Sequence, residues 1–461
     1  MEDQGGAQVA GEMLPTFRRR GRLRKALRWT NRVIAGTAIA GTIALFSGPS
    51  VTGWLLERER ARLRAEGAPL TLAEVVPRVP PGRPNAADIY QKAFPLRRVD
   101  EPDLLQDRRP EDARWRSGVR ALLAKNTPYL ALIEQASRIP DCAFSVDWAG
   151  GPEKAAMPHL AGFREATRLF GARAVLLACD GRGDEALAQC ETVLRIADHA
   201  RADPPFVASL VAWAVRAIDV DVAETVLSLA DQSPEACRAV QTALARVDQR
   251  AELLRALRTE SVCDTQYVHE RARRMVKNNA TLGPYLIRTQ LNLGERGFLR
   301  KVDAQIAVAA LPWPDSYRQA KRIVDPFEHG AWYSSWDIGY TMSAMVFPNA
   351  AHALQVEERI QARLDALQIA LALKQYKGRC GSYPDSLAAL RAAGYDIPRD
   401  RFTGKEFVYR REGAGFLIYS LGPDMDDDNG RDFLKDKRRT KKPIEHGKEL
   451  WDTDVPFRCT R

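Results

Sequence analysis

The segment Val33–Leu56, VIAGTAIAGTIALFSGPSVTGWLL, runs for 24 residues without a charged side chain, and Phe17–Arg32 before it carries eight basic residues and no acid. A helix over the uncharged stretch is roughly 36 Å long at ~1.5 Å per residue, enough to cross a ~30 Å hydrocarbon core with tilt. Its apolar centre, Val33–Phe46, is shorter, and Ser47, Gly48, Pro49, Ser50 and Thr52 weaken the remainder. Three readings follow. They are a retained signal anchor, a cleaved signal peptide with small residues around Ala38–Ala40 or Ser47–Ser50, and a helix of a cytosolic protein. Basic residues before the span favour the anchor. They place residues 1–32 in the cytoplasm and everything after Leu56 outside, as a single-pass inner-membrane protein of a bacterial envelope. The membrane, met through residues 33–56, is then the first partner.

The chain of 461 residues has a net charge of +10, and this excess is local. Residues 1–56 hold eight Lys/Arg against three acids, and residues 431–448 repeat that ratio. The rest is close to neutral, which argues against a nucleic-acid-binding face, since such a face needs basic side chains tracking phosphates. The run KDKRRTKK (Lys435–Lys442) reads as a solvated tail or loop.

Residues 57–112 read as a charged helical continuation, then a proline-rich linker (Pro69–Pro84) wrapping over a domain, then a helix capped by Asn85. Residues 113–348 form a helical domain. Within it Arg164–Ala200 has apolar residues at helical spacing on both sides of DGRGDEAL (Asp180–Leu187), which breaks and restarts the helix. Those 37 residues loosely resemble one tetratricopeptide-type unit, with no second copy at a fixed period, so an irregular bundle remains the alternative. Helices are also expected over Pro205–Ala230, Pro234–Val247 and Gln249–Val276. Trp332, Tyr333, Trp336 and Tyr340 crowd into GAWYSSWDIGYTMSAMVFP and form a candidate patch for an unknown protein partner.

Residues 349–461 form the last unit. A long helix, Asn349–Lys377, is followed by a turn, a short helix at Ser386–Gly394, and two strands, Lys405–Gly413 and Gly415–Gly422, joined as a hairpin. Tyr376, Gly381, Tyr383 and Pro384, then Asp400, Phe402 and Gly404, then Tyr409, Tyr419, Ser420, Gly422 and Asp424 occur in an order that resembles the globular head of the major pseudopilin of type II secretion. The likeness covers about Glu357–Gly430. It implies an α+β head and a calcium loop, and not pilus assembly: the hydrophobic span lies about 300 residues upstream of the head and no prepilin cleavage motif precedes it. The fold class expected is therefore mainly α with a small C-terminal α+β head.

In SLGPDMDDDNG (Ser420–Gly430), Asp424, Asp426 and Asp428 alternate, so a tight loop turns their carboxylates inward, and Asn429 and Gly430 tolerate the left-handed backbone this needs. With Asp432 they form a candidate structural Ca2+ site; an exposed acidic turn is the alternative. Cys380 and Cys459 are the expected disulfide, because nothing else evident in the sequence ties down DVPFRCTR; two unpaired thiols are the alternative. Glu357 and Glu358, adjacent on a helix, read as a solvated face. No nucleophile elbow, zinc-binding helix, phosphate loop or dinucleotide fingerprint is present, and the six histidines lack ligand spacing. The function expected is a membrane-anchored extracytoplasmic scaffold. The alternative is an envelope hydrolase with a site assembled between the helical and C-terminal domains.

Overall fold

The computed structural model describes residues 16–106, 108–148, 156–277, 283–328, 350–431 and 453–461. Its helices are α1 (Thr16–Ala65), α2 (Leu72–Val75), α3 (Ala86–Ala93), α4 (Asp103–Gln106), α5 (Ala113–Lys125), α6 (Thr127–Ser137), α7 (Pro158–Cys179), α8 (Gly183–Ala200), α9 (Phe206–Leu229), α10 (Pro234–Leu244), α11 (Gln249–Lys277), α12 (Gly283–Ala309), α13 (Asp315–Glu328), α14 (Ala350–Cys380) and α15 (Leu387–Ala392). Three antiparallel strands, β1 (Val408–Glu412), β2 (Gly415–Ser420) and β3 (Val455–Cys459), lie in the order β1-β2-β3. The architecture is mainly helical with one small sheet, as the sequence led us to expect.

α1 contains Pro49, whose ring crowds the carbonyl four residues back and whose missing N–H removes that carbonyl's usual helical donor. The helix bends by 43° between Trp29–Thr42 and Phe46–Ala65. No single helix among the described residues is long and apolar enough to cross a membrane, and these two parts of α1 meet that requirement only as a bent pair. The second part packs on α12 through Leu56, Leu63 and Leu299.

The helical hairpin expected from DGRGDEAL is α7–α8. Gly181 takes a left-handed φ of 76°. Gly183 is required by proximity, because a Cβ there would stand 2.0 Å from the Asp231 carbonyl oxygen. Asp184, in the first turn of α8, accepts the Ser233 backbone N–H at 2.7 Å and fixes the start of α10. The wrapping segment is fastened by Asn85. Its Oδ1 caps α3 at Ala87 N and also takes Ala143 N, while its Nδ2 donates to the Ala143 carbonyl.

One continuous hydrophobic core joins α3, α5–α10, α14 and the sheet, with Phe163, Phe170, Leu367, Leu371, Phe416 and Phe457 among its members. The expected division at residue 349 is therefore crossed by shared packing. β2 is buried at every position because α14 covers one face of the sheet and β1 and β3 flank it.

Candidate functional site

The predicted calcium loop turns as expected, with Asn429 at φ 59° and Gly430 at φ 72°. Its side chains arrange differently. Asp426 is exposed. Asp427 is held by Tyr419, whose hydroxyl donates at 2.9 Å, and by the Asn429 N–H at 2.8 Å. Asp424 and Asp428 are half-buried, and Asp432 lies outside the described residues. The residue that the sequence reading missed is Asp454, completely buried just before β3. Its Oδ2 accepts the Gly430 N–H at 2.8 Å, and its Oδ1 is buried without a hydrogen-bond partner. Burial, reinforced by Asp428, Asp427 and Asp424, pushes its carboxyl up to about 7. Asp454 lies thirty residues beyond Asp424 and carries no motif, so only the pairing of β3 with β2 brings it to the loop. Among the described residues, no three His, Cys, Asp or Glu side chains converge closely enough to hold a metal ion.

The disulfide expected between Cys380 and Cys459 is absent, and both are free thiols. Cys380 is exposed at the end of α14. Cys459 is buried, its Sγ donating to the Leu227 carbonyl at 3.3 Å. The premise for the bond fails because the C-terminus is a strand. β3 pairs with β2, and α9 covers its open edge: Arg458 N donates to Glu224 and Thr460 N to Ser228 Oγ. An edge strand satisfied in this way needs no covalent tie. The aromatic patch Trp332, Tyr333, Trp336 and Tyr340 lies outside the described residues.

Glu357 and Glu358, expected on a solvated face, are buried at 0% and 3% exposure. They form a charge cluster at the junction of helical body and sheet. Arg250 at the start of α11 donates from Nε to Glu357 at 2.9 Å, from Nη2 to Glu358, and from Nη1 to the carbonyls of Ala309 and Leu311 at the end of α12. One guanidinium balances one carboxylate, so the pair retains a proton: burial first, then Glu358, pushes Glu357 up to about 8. Two turns further along α14, burial raises Asp365 to about 6 although Arg401 pairs with it at 3.3 Å. Between them Arg359 donates to the Thr453 carbonyl at 2.9 Å. This helix face is polar because it ties α14 to α11, to the end of α12 and to the segments before the strands. Amphipathic patterning assumes that charge means water, and here it means a partner.

Two buried histidines complete the inventory. His159 meets Asp203 at 2.5 Å under the ring of Phe144, stacked at 3.9 Å. His199 donates from Nε2 to the Ile139 carbonyl, so its Nδ1 accepts from the Tyr90 hydroxyl, and burial lowers its pKa. Both lie within the aromatic packing that fastens α3 to α7 and α8. No family model, characterised protein or solved structure matches the chain.

Proposed function

We propose that the protein is an extracytoplasmic scaffold tethered to the membrane by α1, with the helical body and its docked sheet offering surface to a protein partner. The observation that carries this reading is the contrast along α1. Trp29 is 73% exposed, and every residue from Trp29 to Thr42 is exposed, Val33, Ile34 and Ile39 among them, whereas the helix beyond Gly48 is docked on α12. Within the exposed arm, Thr37 and Thr42 donate to the carbonyls of Val33 and Ala38. An arm with internal hydrogen bonds and apolar flanks suits lipid. The basic residues before it orient the N-terminus to the cytoplasm.

Within this reading the C-terminal loop takes calcium. The support is a hard-oxygen donor set beside the unpartnered Asp454 Oδ1, together with the likeness of the long helix, hairpin and acidic turn to a pseudopilin head. Carbonyl oxygens must supply part of the shell. Hydrolysis between the two parts draws on the raised carboxyls of Glu357, Glu358 and Asp365, and these, at 0%, 3% and 3% exposure, act as docking groups rather than ones that meet substrate.

Membrane fractionation tests the tether. The full-length chain should stay with membranes after an alkaline wash, and reporters fused after residue 70 should work only in forms active outside the cytoplasm. Release by the wash, or activity of a cytoplasm-only reporter, would overturn the reading. For calcium, the Tm of the full chain should rise with added ion and the rise should vanish in Asp454→Asn; identical melts at saturating calcium would remove it.

A further inference from the structure

α1 and α12 run parallel. Phe46 meets Tyr285 edge-on with ring centroids 5.0 Å apart, Gly48 faces Thr289, the Pro49 carbonyl accepts from Asn292 Nδ2 at 3.2 Å, and farther on Arg60 pairs with Glu295 and Arg62 with Asp303. α12 therefore begins level with the bend in α1. The free uncharged arm, Val33–Thr42, supplies only about 15 Å, and a ~30 Å core needs about twenty residues, which reaches to about Thr52. The additional residues are the ones flanked by the first turns of α12. We infer that Gly283–Leu293 enters the edge of the bilayer beside α1, so that the protein meets lipid through a helix pair rather than a single anchor. This rests on the tether proposed above.

Charge along three helices marks a common height. On α1 the first acid after the span is Glu57; on α12 the first is Glu295, bound to Arg60 and to His269 at 2.6 Å. α11 runs antiparallel to α12, with His269 on Glu295 and Arg258 on Asp303, and its last acid is Glu270. Beyond Glu270 its sequence holds Arg271, Arg273, Arg274 and Lys277. On one side of this level the helices carry partly buried ion pairs. On the other they carry no acid and expose Val51, Trp54, Tyr285, Leu286 and Leu293, with Leu286 at 55%. Tryptophan and tyrosine at headgroup depth and arginines reaching phosphate are what a bilayer edge selects. A protein partner imposes no shared acid-free level on three helices.

Depth-dependent quenching tests the inference. The full-length chain, carrying a fluorescent amino acid at Ile39, Leu286 or Leu96, is reconstituted into phosphatidylcholine–phosphatidylglycerol vesicles containing lipids with a quencher near the headgroup or deep in the chain. Ile39 should lose most emission to the deep quencher and Leu286 to the shallow one. Leu96, exposed on the body in the turn that packs on α3 and α6, should keep its emission. Quenching at Ile39 without quenching at Leu286 overturns this inference and leaves the tether standing. No quenching at Ile39 removes both. Equal quenching at Leu286 and Leu96 also overturns it, since the whole body would then lie on the surface.

Discussion

Replacing Glu357 with Gln removes one of two carboxyls that compete for the Arg250 guanidinium and changes nothing in side-chain size. The wild-type carboxyl is raised from its ordinary 4.5 to about 8 by burial and by Glu358. A carboxyl raised in the folded state contributes stability that is complete below about pH 4.5, declines as pH rises, and is gone above about pH 8. At ~1.4 kcal/mol per pKa unit the gap amounts to a few kcal/mol, shared with Glu358. Gln keeps the neutral, hydrogen-bonding form at every pH. Glu357→Gln should therefore unfold within about 1 kcal/mol of wild type at pH 5, and be the more stable protein at pH 8 by on the order of a few kcal/mol. Urea unfolding of the detergent-solubilised full chain across this range gives the answer. Asp365, Asp454 and Asp264, raised to about 6, about 7 and about 8, tilt both curves the same way, so the difference between the two proteins is the informative quantity. Parallel curves from pH 5 to 8, or a variant several kcal/mol weaker at pH 5, would refute the shared-proton argument.

Other consequences are equally direct. Gly183→Ala drives a Cβ to 2.0 Å from the Asp231 carbonyl and should lower Tm by several degrees in a thermal melt, whereas an unchanged Tm would show that the α8–α10 contact is loose. Arg216, at 0% exposure, holds Glu252 through two bonds of 2.6 and 2.9 Å, so Arg216→Met strands a buried carboxylate and should cost about 3–5 kcal/mol in chemical denaturation; a loss below 1 kcal/mol would mean that Arg201, which also reaches Glu252, suffices. Maleimide should label exposed Cys380 in the native protein, and buried Cys142, Cys190, Cys237 and Cys459 only after unfolding. Native labelling of Cys459 by mass spectrometry would contradict the strand that buries it.

Local signals in the sequence were enough for the elements. Asn85 and the glycines of DGRGD mark helix boundaries by backbone chemistry alone, and the β-branched and aromatic residues of KEFVYRREG and GFLIYS, joined through Gly413, Ala414 and Gly415, mark a hairpin, so α3, α7–α8 and β1–β2 stand where the sequence puts them. What the sequence could not say was which charges meet. Glu357 and Glu358 read as a wet face because periodicity counts polarity and ignores neighbours 100 residues away, and Arg250 decides otherwise. DVPFRCTR read as a tail needing a disulfide because a strand of five residues has no signature until β2 offers it a ladder and α9 covers its edge. Asp454 joined the acidic loop for the same reason. Composition along the chain sets where each segment turns helical, extended or apolar; long-range pairing, which no local pattern encodes, decides which polar groups leave water and what they bind when they do.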